Sequence, residues 1–223
     1  MKRSMYSLIL TDDIVAAIDF LAAQQGTSRS HYINQVLADH VRFITPEQQM
    51  RQLFSQLIAQ IEQRNTIFRV QQQGSDAMLS IFGTVQYKYR PTIRYQVELS
   101  REMRHETIGR LKVSCRSQSR ALLDAMDDFF RFWTDLEIKN DPQKRCGKKM
   151  YLIEDGRLTR TLLRCGMTDD TELGKAIGDY IRMFHNLLQS YFTGLQQGVS
   201  GAVLHHALEQ QYMAIRTMQT TPL

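Results

Sequence analysis

The clearest pattern in this chain is a strict alternation of apolar and polar residues over residues 93–100, IRYQVELS. Its odd positions are all apolar, and its even positions, beginning with Arg94, are all polar. A period of two predicts a strand with one buried face and one solvated face. Residues 5–10, MYSLIL, show a shorter version of the same pattern. Both segments are therefore predicted strands.

Helical spacing follows the strand at residues 5–10. Residues 11–13, TDD, supply a cap and an acidic first turn, and Gly26 ends the helix as a C′ glycine does. Residues 27–30, TSRS, then begin a second helix. The apolar stripe of this second helix consists of Tyr32, Ile33, Val36, Leu37 and Val41. The first forty residues are thus predicted to form a strand, a helix, a turn and a helix.

The same order of elements recurs along the chain, which indicates an internal repeat. Residues 87–138 match residues 1–44, and Ser117 and Ser119 correspond to Ser28 and Ser30. Three further segments complete the predicted organisation: a helical connector over 45–86, a possible third copy over 147–192 and a C-terminal helix over 200–218. The apolar spacing of the connector fits either a packed helix or a coiled-coil contact between chains.

Both later copies have a predicted helix directly after their strand. In the second copy, Ser100 caps a helix that continues through Ile108 and Leu111. In the third copy, a strand over 149–155 precedes a short helix over 156–166. These assignments rest on the match to the first copy and on apolar residues at helical spacing.

The segment MYSLILTDDIVAAIDFLAAQQGTSRSHYINQVLADHV resembles a ribbon-helix-helix domain, the fold of the Arc, MetJ and CopG repressors. The resemblance implies a mainly α fold with short antiparallel β ribbons, built as tandem ribbon-helix-helix repeats plus connecting helices. In that fold, two units each give one strand to a ribbon, because a lone strand cannot satisfy its backbone groups. Three copies in one chain would leave one strand over, so we expect a homodimer or a higher homo-oligomer.

The resemblance also implies that outward residues of a ribbon contact bases in the major groove of double-stranded DNA. Carried across by position, the second copy offers Arg94, Gln96 and Glu98 to bases, and Lys88, Arg90, Ser117 and Ser119 to phosphates. Residues 86–120 contain nine Lys and Arg residues against three Glu residues, which suits an anionic partner. The alternative is a solvated ribbon that serves only for pairing.

The first copy has a less polar ribbon than the second. Its expected outward residues are Met5, Ser7 and Ile9, and its expected phosphate contacts are Arg3, Ser28 and Arg29. Apolar side chains can touch thymine methyl groups, but they also suit a protein contact. The third copy begins its second helix with acidic residues, which repel phosphate, so we expect this copy to serve in assembly.

Composition adds limits on location and chemistry. The net charge is +5, and the three cysteines are odd in number and widely spaced, as in a reducing cytoplasm. No apolar run approaches the roughly 18 residues of a membrane span, and no signal peptide is recognisable. We expect a cytoplasmic, nucleoid-associated protein without a membrane partner. Since no metal-binding or nucleotide-binding motif is present, we expect no metal, no cofactor and no enzymatic activity.

The sequence thus predicts a sequence-specific double-stranded DNA-binding protein. It would be a transcriptional repressor or an accessory factor of a plasmid or other nucleoprotein complex. The alternative is a ribbon-helix-helix assembly protein that acts through protein–protein contacts and does not read DNA.

Overall fold

A computed structural model describes residues 5, 7–63, 67–72, 76–88, 90–100, 106–140, 147–164, 167 and 169–218. The chain divides into two compact units, Met1–Gln49 and Met50–Leu223. We call them the first unit and the second unit.

The first unit contains α1 (Asp12–Gln24) and α2 (Arg29–His40). Gly26 has a φ of 62° and ends α1 in a Schellman motif, in which Thr27 N donates to Ala22 O over 2.9 Å. Ser28 is the N-cap of α2, and its Oγ accepts a hydrogen bond from His31 N over 3.3 Å. The two predicted helices are confirmed, although Thr11 at the N-cap position of α1 makes no side-chain capping hydrogen bond.

Helix α3 (Pro46–Glu62) follows α2 and provides five of the buried core residues of the second unit. It begins with a reciprocal capping box: Gln48 N donates to Thr45 Oγ1, and Thr45 N donates to Gln48 Oε1. Proline at the first helical position fits, because that position needs no amide hydrogen bond. The predicted start of the connector helix is therefore confirmed.

The second unit contains one six-stranded sheet in which every neighbouring pair of strands is antiparallel. The strands are β1 (Phe68–Gln72), β2 (Met78–Thr84), β3 (Thr92–Leu99), β4 (Thr107–Cys115), β5 (Tyr151–Glu154) and β6 (Arg157–Leu163), in the spatial order β1-β2-β3-β4-β6-β5. Its further helices are α4 (Arg120–Lys139), a 3₁₀ helix (Lys148–Met150), α5 (Asp170–Gln196) and α6 (Gly201–Met218).

Buried side chains from one face of the sheet and from the helices make a single core cluster. Ile93, Tyr95 and Val97 of β3 have no exposed surface, as their alternation predicted. Helices α3 and α5 approach closely at Gly174, where a Cβ atom would lie 2.7 Å from Leu53 O. The sheet therefore has one face in the core, and we call its other face the open face.

The predicted fold class, tandem ribbon-helix-helix repeats, is wrong. Strand β3 pairs with β2 along one edge and with β4 along the other, so it cannot belong to a two-stranded ribbon. The predicted helix through Ile108 and Leu111 is strand β4, and the predicted helix over 156–166 contains strand β6. The connector over 45–86 contains α3 but also β1 and β2. An antiparallel sheet with helices replaces the second and third copies.

Other predicted elements are present with small shifts. The strand over 149–155 is β5, and the C-terminal helix over 200–218 is α6. Ser119 is the N-cap of α4, two residues later than Ser117, the position that corresponds to the Ser28 cap of α2. In the possible third copy, Asp169 caps α5, and its Oδ1 accepts from Thr171 N over 2.9 Å. Helix α5 then runs for 27 residues and ends at Gln196, four residues beyond the predicted end of the third copy at residue 192.

Candidate functional site

The open face carries the three residues predicted to contact bases. Because paired residues of neighbouring strands point the same way, the register places Arg94 beside Phe82 and Ser114, and Gln96 beside Ser80 and Lys112. The basic residues on this face are Arg69, Arg94, Arg110, Lys112 and Arg157, and its acidic residues are Glu98 and Glu154. The face is therefore polar, with an excess of positive charge.

Arg94 is held in a defined position on the open face. Its Nε and Nη2 atoms donate to Ser80 Oγ over 3.3 and 3.1 Å, and its guanidinium carbon lies 6.0 Å from the centre of the Phe82 ring. Arg69, on β1, approaches the same ring to 5.9 Å. Two guanidinium groups thus flank one half-buried aromatic ring, a favourable cation–π arrangement.

The negative charge of Glu98 is largely compensated by neighbouring side chains on the same face. Lys112 Nζ lies 2.7 Å from Glu98 Oε1, and Gln96 Nε2 donates to the same oxygen. The carboxylate therefore repels an anion less than an unpaired one would. Although Arg94, Gln96 and Glu98 lie side by side as predicted, the ribbon interpretation is wrong. Their contact with nucleic acid stays a prediction.

The predicted phosphate contacts of the former second copy lie at one end of the sheet. Lys88 and Arg90 are exposed in the β2–β3 loop, while Ser117 and Ser119 follow the end of β4. The pairing of Ile93 with Cys115 brings the start of β3 next to the end of β4. Both serine hydroxyls are already used, since Ser117 Oγ accepts from Ser119 N and Ser119 Oγ accepts from Leu122 N.

In the first unit, the predicted ribbon residues Met5, Ser7 and Ile9 are all exposed. Ser28 is engaged as the cap of α2. Arg29 forms an ion pair with Asp19 of α1, which lowers the pKa of the Asp19 carboxyl through a hydrogen bond from the guanidinium group. Arg3 lies outside the described residues.

The first unit leaves its apolar residues uncovered. Twelve of the sixteen exposed large hydrophobic side chains in the described part of the chain lie within residues 1–49. The exposed set includes Leu8, Leu10, Ile14, Leu21, Val36, Leu37 and Val41. Among the described apolar residues of this unit, only Ala22 and Ala38 are buried. An exposed apolar surface of this kind is typical of the contact surface of an obligate dimer.

The sequence analysis missed a group of charged and polar residues inside the core of the second unit. Glu137 Oε2 accepts hydrogen bonds from Trp133 Nε1, Tyr180 Oη and Tyr151 Oη at 2.8, 2.7 and 3.0 Å. Arg160 Nη2 lies 3.4 Å from Glu137 Oε1, and its guanidinium carbon lies 4.1 Å from the centre of the Tyr180 ring. Glu137 and Arg160 are 6% and 4% exposed, so the pair is withdrawn from water.

A second buried polar contact joins the sheet to α5. Tyr95 Oη and His185 Nδ1 are 2.8 Å apart, and both residues are buried. Burial lowers the pKa of His185 to about 4, against the opposing effect of a hydrogen bond with the Thr84 backbone. His185 is therefore neutral at pH 7 and its role in the core is that of a polar packing residue.

We expect His185 to make the second unit less stable in acid. Its folded-state pKa lies below the unfolded value of 6.5, so unfolding takes up a proton, and stability present above pH 6.5 falls as the pH approaches 4. The loss is about 3 kcal/mol. Urea unfolding at pH 7.5, 5.5 and 4.5 measures it, and His185→Gln should show a correspondingly smaller loss. The exposed His206→Gln is the control; equal acid sensitivity in all three proteins would contradict the assignment.

No group of three or more His, Cys, Asp and Glu side chains among the described residues is arranged to hold a metal ion. In the same part of the chain, no helix combines the length and the hydropathy that a membrane crossing requires. Comparison of the chain with protein-family models, with curated proteins and with solved structures gave no match.

Proposed function

We propose that this chain is a sequence-specific double-stranded DNA-binding protein, either a repressor or an accessory factor of a nucleoprotein complex, and that its first unit reads the DNA. The observation that supports the proposal is a segment before α1 that lies in no helix or sheet, followed by two helices whose apolar stripes are uncovered. This arrangement fits the resemblance to ribbon-helix-helix domains. In this proposal, the duplex is read by Met5, Ser7 and Ile9 instead of Arg94, Gln96 and Glu98.

The uncovered stripes support pairing with a second copy. Two short helices with exposed apolar faces gain too little from local hydrogen bonding to be stable by themselves. A second copy would bury Leu21 and Leu37 against their equivalents and would pair residues 5–10 of the two copies as an antiparallel ribbon. Pairing would also satisfy the backbone groups of residues 7–10, which lie in no helix or sheet.

A paired ribbon is suited to the major groove, which is about 12 Å wide and admits two strands. Leu8 and Leu10 would face the helices, and Met5, Ser7 and Ile9 would face the bases. Methyl groups of Ile9 can contact thymine, and the Ser7 hydroxyl can donate to or accept from a base edge. The start of α2 could bind a phosphate through amides that the Ser28 cap does not use.

The proposal is tested by selecting bound duplexes from a random DNA pool. We expect a recovered motif with two related half-sites, because a two-fold ribbon presents the same residues twice. Binding to the motif should weaken steeply with salt, since phosphate contacts release counterions. A pool that shows no enrichment after several rounds would contradict the proposal.

Replacing Ile9 by glutamate should weaken binding to the selected duplex by tenfold or more, because a carboxylate would face bases and phosphates. Ile9 is fully exposed, so dimer formation should not change. Fluorescence anisotropy measures the affinity, and light scattering measures the mass. Ile67→Glu, at an exposed position of the second unit, is the matched control. If Ile9→Glu and Ile67→Glu bind the duplex equally well, residues 5–9 are not the reading segment.

An assembly protein without DNA reading is the second candidate. The apolar side chains of Met5 and Ile9 favour it, because they would suit a protein partner. A dimer that retains no duplex DNA at 50 mM salt would support this candidate against the first.

A further inference from the structure

We propose that the open face of the sheet binds single-stranded nucleic acid. This site belongs to the second unit and is additional to the duplex site proposed for the first unit. The three kinds of group that a single strand requires are cations for phosphates, planar groups for stacking, and hydrogen-bond donors for base edges. The open face has all three on neighbouring strands.

The charge of the open face is the first argument. Five basic residues and two acidic residues lie on this face, and the Lys112–Glu98 ion pair contains one of each. The remaining cations are Arg69, Arg94, Arg110 and Arg157, on β1, β3, β4 and β6. With strands about 4.8 Å apart, these residues cross the sheet over about 19 Å. A row of cations of this length can follow several phosphates of an extended strand.

The second argument is a stacking position at Phe82. The ring is half-buried on β2, between the guanidinium groups of Arg69 and Arg94 at 5.9 and 6.0 Å. Both the ring and the guanidinium planes can stack on a base of any identity. The hydrogen bonds from Arg94 to Ser80 Oγ fix its orientation before a ligand arrives. Gln71, one strand away from Phe82 on β1, offers its amide group to base edges. Gln96, one strand away on β3, offers its carbonyl oxygen, because its Nε2 atom already donates to Glu98 Oε1 and Met78 Sδ.

The width of the sheet argues against duplex DNA as the occupant. Six strands span about 24 Å, whereas the major groove is about 12 Å wide. The face therefore cannot enter the groove to reach base edges. Bases of a single strand are not enclosed in a groove and can lie flat against the sheet.

The centre of the face argues against a folded protein partner. The β3–β4 pairs there are Arg94–Ser114, Gln96–Lys112 and Glu98–Arg110, without an apolar side chain. Protein interfaces deplete charge at their centre and place polar groups at the rim. The open face has the reverse distribution, which suits a polyanion.

The test measures fluorescence anisotropy of a labelled 20-nucleotide poly(dT) strand and a mixed-sequence RNA strand with the full-length chain. The Arg69→Ala/Arg110→Ala variant removes two exposed cations and should weaken binding at least tenfold. It should also reduce the slope of log affinity against log salt by about 1.4, the value for two lost phosphate contacts on a single strand. Arg51→Ala/Lys175→Ala, which removes two exposed cations from α3 and α5, should leave affinity unchanged.

Phe82→Leu separates stacking from charge. It keeps an apolar side chain of similar size, so the fold should persist, which circular dichroism melting checks for every variant. We expect about tenfold weaker binding with an unchanged salt slope, because a ring is lost and no charge is. An affinity equal to that of the unaltered chain would contradict the stacking role and overturn the proposal.

Two further outcomes would overturn the proposal: no binding of either strand at 10 µM protein and 100 mM salt, or equal weakening in the Arg69/Arg110 variant and the Arg51/Lys175 control. The result is independent of the duplex proposal. Ile9→Glu should keep its single-strand affinity, and Arg69→Ala/Arg110→Ala should keep its affinity for a selected duplex. Loss of duplex binding alone therefore reports on the first unit only.

Discussion

Replacing Glu137 by leucine is expected to destabilise the second unit by about 3–5 kcal/mol. The substitution removes a carboxylate whose Oε1 lies 3.4 Å from Nη2 of Arg160, a guanidinium group that is 4% exposed. It also removes an acceptor that Trp133, Tyr151 and Tyr180 share. Urea unfolding followed by the fluorescence of Trp133, the only tryptophan, measures the change.

The double variant Glu137→Leu/Arg160→Met tests whether the cost comes from an uncompensated charge. Removing both charges together should cost far less than the sum of the two single changes, because neither charge of this pair is then left buried without the other. Asp124→Ala is the surface control: it breaks the exposed Arg120–Asp124 pair and should cost less than about 1 kcal/mol. Additive single and double changes would show that the ion pair is not the source of the destabilisation.

Replacing Leu37 by lysine is expected to abolish pairing of the first unit and, with it, duplex binding. Leu37 is 51% exposed on α2 in a single copy and would be buried in the proposed dimer. An unpaired ammonium group in that interface should raise the dissociation constant of the dimer at least a hundredfold, or about 3 kcal/mol. Light scattering should then give a mass near 26.0 kDa at 10 µM protein, whereas the unaltered chain should give about twice that value.

The matched control for Leu37→Lys is Val203→Lys. Val203 is 62% exposed on α6 in the second unit, so the same charge there should leave both the mass and duplex affinity unchanged. A Leu37→Lys protein that remains a dimer would show that another surface makes the contact. An unaltered chain that is a monomer at 10 µM would remove the basis of the proposed duplex site.

The two helices of the first unit were predictable because their boundary signals are local, whereas residues 7–10 of the predicted strand lie in no strand. Ser28 caps its helix through an amide three residues away, and Gly26 ends the preceding helix through its own φ angle. Such interactions depend on neighbours in sequence, so the sequence is enough to recognise them. The alternation in β3 was equally local, and its apolar face is buried as predicted.

The predictions for the second unit were wrong where the spacing of apolar residues fits two kinds of element and the contact that decides between them lies far away in sequence. Leu158 and Leu162 lie four residues apart, a spacing that fits one face of a helix and also one face of a strand. Arg160 lies between them on the same strand face. Because it is charged, the segment does not show the alternation of apolar and polar residues that indicates a strand. The presence of Arg160 in the core depends on Glu137, which is more than twenty residues away on another element. No pattern within the 156–166 segment can report that partner.

The candidate site could be predicted only in part, because the alternation in β3 is local but the strands beside β3 come from other segments of the chain. The alternation placed Arg94, Gln96 and Glu98 on a common face, and they share one. The number of strands beside them depends on pairing with segments that the repeat assigned to helices. A ribbon and the interior of a six-stranded sheet give the same local sequence pattern, but they present surfaces of different width.

The close approach of α3 and α5 has a consequence for synthesis of the chain. The contact joins segments far apart in sequence, as in the hydrogen bond from Gln60 to Asp179, which are separated by 119 residues. At a translation rate of about 5–20 residues per second, the apolar side of α3 leaves the ribosome roughly 6–24 seconds before the α5 residues that cover it. During that interval Leu53 and Leu57 have no final partner on α5. Nascent chains of this length are therefore expected to bind chaperones until α5 has been synthesised.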